Sequence, residues 1–79
     1  MITQSPDQLG AVIRARRKEL KVTQKELALT CGTGLRFIID LERGKPTCQI
    51  GKTLQVIHAL GLKLQIAGPG VSDNQDGKP

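Results

Sequence analysis

Residues 23 to 44 are punctuated so closely that only short helices fit between the marks. Thr23-Gln24-Lys25-Glu26 has the form of a capping box, with a Thr hydroxyl to receive an N–H and a Glu three residues on to reach back. A helix opening there turns Leu27 and Ala28 inward and closes at Cys31-Gly32, where glycine supplies the left-handed backbone of a tight turn. A second short helix follows from about Gly34 to Arg43, burying Ile38 and Leu41 and ending at Gly44. Two short helices joined by a tight glycine turn leave little freedom: neither can bury its face alone, so both must pack against helices on either side.

Those helices are legible. Ser5-Pro6-Asp7-Gln8 offers a cap, a proline suited to the first turn, and a Gln where a capping box wants one. Apolar residues then recur at Leu9, Val12, Ile13 and Leu20, which predicts a helix from about Pro6 to Leu20. Leu20 and Val22 read as core, while Arg14, Arg16 and Lys18 read as a solvated helix face. Lys45-Pro46 bars further helix, Thr47 is the expected cap of a fourth, and Ile50, Leu54, Ile57 and Leu60 form its apolar stripe up to Gly61. Leu62-Lys63-Leu64-Gln65-Ile66 alternates with the period of a half-buried strand. A lone strand leaves backbone groups unsatisfied, so Leu62, Leu64 and Ile66 are expected to pair with the same strand of a second subunit. The predicted architecture is all-α, four to five helices with one C-terminal strand paired across a dimer. Residues 1–66 form the domain and 67–79, rich in Gly, Pro, Asp, Asn and Ser, form a flexible tail.

Composition narrows the function. A chain of 79 residues buries a thin core, and with one Phe and no Trp or Tyr that core is aliphatic. Dimerisation is an expected source of further stability. Twelve Lys and Arg face seven Asp and Glu, a net charge of +5. Only Asp73, Asp76 and Lys78 lie beyond residue 66, so the body is more cationic than the total and suits a polyanion, of which nucleic acid is the commonest. Cys31 and Cys48 stand too far apart for a zinc pair, and His58 is the sole histidine. Both cysteines read as packed thiols in a reducing cytoplasm. No metal site, cofactor or catalytic grouping is evident, and Glu19, Glu26 and Glu42 all have structural readings, so no enzyme is expected. Met1 to Ser5 lacks the basic start of a signal peptide, and no run approaches the ~20 apolar residues that span a bilayer. A cytoplasmic protein without a membrane partner is expected.

Thr23-Gln24-x-Glu26-Leu27-Ala28, then Gly32, then Asp40-Leu41-Glu42-Arg43-Gly44-Lys45 resembles the Xre/phage-repressor class of helix-turn-helix proteins, over roughly Leu9 to Gly61. The closing Ala59-Leu60-Gly61-Leu62-x-Leu64-x-Ile66 is similar to the HipB-like antitoxins, small repressors that also bind a HipA-type kinase toxin. The resemblance implies a lambda-repressor-like domain that binds operator DNA as a homodimer and represses its own promoter in a type II toxin–antitoxin operon. A toxin would bind at the end of the fourth helix, the strand or the tail. A stand-alone phage-type regulator, or an interaction module that keeps the fold without DNA binding, is the alternative.

In this architecture the second helix of the motif enters the major groove. Its outward face presents Gly34, Leu35, Arg36, Asp40 and Arg43. Arg36 is the expected base reader, since Arg can bond guanine O6 and N7 together. Asp40, one turn on, would accept from cytosine or hold Arg36 through an i,i+4 pair, and Leu35 would meet a thymine methyl. Phe37 is expected to pack beside Ile38, with a thymine methyl as the alternative. Gln24, Lys25, Lys45 and Thr47, with Lys52 behind them, are the expected backbone contacts, Gln24 from a helix N-terminus. Arg17 and Glu42 match positions that form a salt bridge in related repressors and are read as structural. The chain departs from the class at Gly34, where a Ser or Thr cap is common, and at Lys21, where a Gly is common. A loosely started helix and a different turn are the expected consequences.

Overall fold

The computed structural model describes residues 5–65. These form α1 (Pro6–Glu19), α2 (Gln24–Cys31), α3 (Leu35–Glu42) and α4 (Ile50–Ala59). Helix α3 packs against both α1 and α2, and α2 also packs against α4. The core lies between them, built from Ile13, Leu27, Ala28, Ile38, Leu41, Val56, Ile57 and Leu60.

Local chemistry sets most of the boundaries. The Ser5 hydroxyl accepts the Gln8 N–H at 3.2 Å and starts α1 at Pro6. At α2 both halves of the capping box are made: the Glu26 N–H donates to Thr23 Oγ1 at 3.0 Å and the Thr23 N–H to Glu26 Oε1 at 2.8 Å. The Thr23 backbone N–H, with its side chain second, holds the Glu26 carboxyl below its ordinary pKa. The box therefore contributes at neutral pH and is lost as pH falls through that lowered value. Gly32 ends α2 in the left-handed region, at φ 69°.

Several expectations need correction. Thr47 does not cap the fourth helix: the chain is still turning there, and Gln49 is the N-cap, without a side-chain cap bond. Thr53 anchors that end instead, its hydroxyl donating to the Gln49 carbonyl at 2.7 Å. Ile50, now the first residue of α4, extends beyond the core and is 68% exposed. Leu20 is 42% exposed, because it is the C-cap of α1 and lies outside the packed turns. Val56, absent from the predicted stripe, is fully buried. Residues 62–65 form no strand, since a single chain offers this segment no ladder partner, and Ile66 and residues 67–79 lie outside the described residues. Arg16 is not a solvated cation. Its Nε donates to the Leu60 carbonyl at 2.9 Å, tying α1 to the end of α4, and its Nη1 meets Glu19 at 3.2 Å.

Lys21 adopts φ 57°, the only non-glycine residue with positive φ among those described. The turn out of α1 is thus one that glycine makes freely and lysine makes at a cost. Lys21→Gly is expected to stabilise the domain by about 0.5–1 kcal/mol, the gain being limited by glycine's greater freedom in the unfolded chain. A rise in the thermal midpoint checks this, and a fall would show that the lysine side chain holds the turn.

Candidate nucleic-acid interface

Helix α3 presents its outward side without obstruction. Leu35 is 43% exposed and Arg36 projects next to it. Arg36 Nε lies 3.2 Å from Asp40 Oδ1, and Lys45 Nζ lies 3.5 Å from Asp40 Oδ2. One half-buried carboxylate thus holds two exposed cations at the same edge of the domain. The Arg36 side chain is 73% exposed and already largely in water, so it can exchange Asp40 for another acceptor at small cost. Phe37 packs against the core with Lys52 Nζ 5.8 Å from its ring centroid, a position that commits it to packing.

Helix α2 brings Gln24 and Lys25 to its first turn. Lys25 is exposed. Gln24 is already engaged, its Nε2 donating to Glu42 Oε1 at 3.1 Å. Thr47 is exposed in the connection between α3 and α4, near Lys45 in the chain. Gly34 caps α3 without a side-chain bond, so the first N–H groups of that helix are open.

Behind this surface, Arg17 and Glu42 join α1 to α3. Arg17 Nε donates to Glu42 Oε2 at 2.6 Å and Nη2 to Oε1 at 3.1 Å, a two-pronged pair with side chains only 10% and 3% exposed. Arg17 Nη1 also donates to the Val22 carbonyl at 2.8 Å, just before α2 begins. A single buried cluster therefore fixes α1, the start of α2 and the end of α3 relative to one another.

Gly10 holds a packing role that the sequence pattern does not announce. An ideal Cβ there would lie 2.6 Å from the Leu41 carbonyl oxygen and 2.7 Å from that of Glu42. The missing side chain lets α1 and α3 approach backbone to backbone. A glycine inside a helical pattern was the only available signal.

Among the described residues no group of three or more His, Cys, Asp and Glu is placed to hold a metal ion. No helix among them is long and apolar enough to cross a membrane. Cys31 and Cys48 are free thiols, and burial pushes that of Cys31 up.

The helix-turn-helix family HTH_3 matches residues 13–66. An uncharacterized HTH-type transcriptional regulator of Sinorhizobium fredii is 54% identical over 66 residues, covering 84% of this chain and 87% of its own length. HipB in its complex with an O4 20mer has a TM-score of 0.79 at 22% identity, over 86% of this chain and 96% of that one. HipB in a complex with HipA, O2 and O3 matches equally, over the same shares. The clp gene regulator ClgR from C. glutamicum has a TM-score of 0.66 at 31% identity, over 78% of this chain and 80% of its own.

Proposed function

The chain belongs to the HTH_3 helix-turn-helix family of transcriptional regulators, and from that premise we propose that it represses its own promoter by binding operator DNA as a homodimer. The observation that carries this reading is the edge on which Arg36, Asp40 and Lys45 meet. Arg36 reads a guanine edge in the major groove, exchanging Asp40 for O6 and N7. Asp40 is a positioning residue that keeps the guanidinium extended until DNA arrives, and Leu35 lies against a thymine methyl. Gln24, Lys25, Lys45 and Thr47 hold the sugar–phosphate backbone and set the register.

The homodimer brings two such edges to half-sites about 34 Å apart. Its proposed seam is the segment of Leu62, Leu64 and Ile66 paired with its copy. Two features support the seam. Leu64 and Ile50 are 44% and 68% exposed, and with Pro6 and Leu9 they line an open, mainly apolar groove of about 340 Å³. A domain with so thin a core gains from covering that surface.

We further propose that the regulator is the antitoxin of a HipBA-like operon and that its partner is a HipA-type kinase toxin. The likeness of fold to HipB, which is found with HipA in a solved complex, supports this. A stand-alone regulator is the second reading, and the likeness to ClgR, a gene regulator, is compatible with it.

Titration of DNA from upstream of the gene tests the site. Arg36→Ala is expected to keep the fold and to lose about 1–3 kcal/mol of preference for that DNA over an unrelated duplex. Unchanged preference would remove Arg36 from the reading face.

A further inference from the structure

Arg14 and Arg43, from α1 and from the C-cap of α3, flank an open cleft of about 490 Å³ that is also lined by Arg17, Gln24, Ile39 and Glu42. We propose that this cleft is an additional phosphate-binding position, with Arg14 and Arg43 gripping one phosphate group of the DNA backbone. The inference rests on the DNA-binding reading and adds α1 to an interface otherwise made by α2, α3 and the loop after it.

The charges of the lining carry the case. Glu42 is the only carboxylate of the lining among the described residues, and both its oxygens are engaged, by Arg17 and by Gln24. The Arg17–Glu42 pair is neutral as a unit. What remains of the lining charge is Arg14 and Arg43, both exposed and neither with an ion-pair partner among the described residues. Two like charges brought together across a cleft by different helices are relieved by an anion between them, and the planar fork of Arg matches phosphate oxygens two at a time.

Position agrees with charge. Gln24 lines the cleft from the first turn of α2, where the helix dipole favours an anion. Arg43 follows Arg36 by seven residues, two helical turns and about 10 Å, so both lie along one side of α3. A duplex that presents bases to Arg36 therefore passes its backbone along the edge where the cleft opens. The likeness of Arg14 to an ordinary solvated arginine ends at this juxtaposition.

The chemistry recognised is a phosphate group, and the source is settled by experiment. Arg14→Gln, Arg43→Gln and the double variant are titrated with the upstream duplex and with an unrelated duplex over a range of salt. Lys78→Gln, beyond residue 66, controls for lost charge alone. Each cleft variant is expected to reduce the slope of log K against log salt by about 1, the double by about 2, with both duplexes weakened alike. Lys78→Gln leaves the slope unchanged.

Wild-type slopes in the cleft variants, with the wild type itself binding steeply, would overturn the cleft and leave the DNA reading standing. A flat wild-type slope would overturn the DNA reading and the cleft with it. Inorganic phosphate, followed through the Arg Nε–H resonances, supplies the second arm. Shifts at Arg14 and Arg43 with inorganic phosphate but none with duplex DNA would assign the cleft to a free phosphate and overturn its place in the DNA interface.

Discussion

Replacing Glu42 with alanine is expected to destabilise the domain by about 3–5 kcal/mol, because it strands a buried guanidinium. Arg17 would keep its bond to the Val22 carbonyl but lose both contacts to carboxylate oxygen, in surroundings that leave its side chain 10% exposed. Gln24 would lose its acceptor as well. A 79-residue chain holds about 4–12 kcal/mol of stability in all, so the variant stands close to unfolding. The double replacement Arg17→Met with Glu42→Leu separates the lost charge pairing from lost packing. Apolar residues of similar volume commonly substitute for a buried pair at little cost, so the double variant is expected to recover most of the loss. Urea unfolding of the three proteins checks both expectations. A double variant as unstable as Glu42→Ala would assign the effect to shape rather than to charge.

Gly10→Ala is the other large effect, expected at about 3 kcal/mol of destabilisation, the upper part of the range for overpacking. The new methyl would meet the carbonyl oxygens of Leu41 and Glu42, which are backbone and cannot rotate aside, so α1 must move off α3. Alanine's better helix propensity returns about 1 kcal/mol and does not cover the clash. Gly51→Ala makes the contrast, since a Cβ at that position in α4 meets nothing within 4 Å. There the same replacement is expected to stabilise by about 0.5–1 kcal/mol. Chemical denaturation midpoints that move in opposite directions for the two variants bear this out. A neutral Gly10→Ala would mean that the two helices are not held in contact there.

The pattern of these effects explains what a reader of the sequence can see. The box at Thr23 and Glu26, the glycine at 32 and the stripe through Leu27, Ile38, Leu41 and Ile57 are local or periodic, and helices form where they predict. Gly10 was silent because its role depends on carbonyls more than thirty residues away. Arg16 misled for the same reason: its partner is the carbonyl of Leu60. Ile50 keeps the right period yet lies one turn past the end of the core, and period alone does not reveal where a bundle stops. Thr47 had the right residue type for a cap, but the turn begun at Lys45-Pro46 runs on through it and delays the helix to Ile50. Strand pairing at Leu62, Leu64 and Ile66 is a property of two chains and belongs to the proposed dimer.

At the candidate interface the sequence named Arg36, Asp40 and Lys45 separately, and the structure gathers them on one carboxylate. It also named Arg14 and Arg43 without connecting them. Only the packing of α1 against α3, permitted by Gly10 and fixed by the Arg17–Glu42 pair, brings those two arginines to one cleft.

Operator binding is decided by titrating the wild-type protein with duplex DNA from upstream of its gene, between ~0.05 and ~0.3 M salt with unrelated competitor DNA present, a range over which phosphate contacts strongly affect affinity. A discrete complex is expected whose log K falls linearly with log salt by several units of slope, retaining preference for the upstream DNA throughout. Binding that is absent, or insensitive to salt, would contradict it and leave a helix-turn-helix domain used for contact with protein.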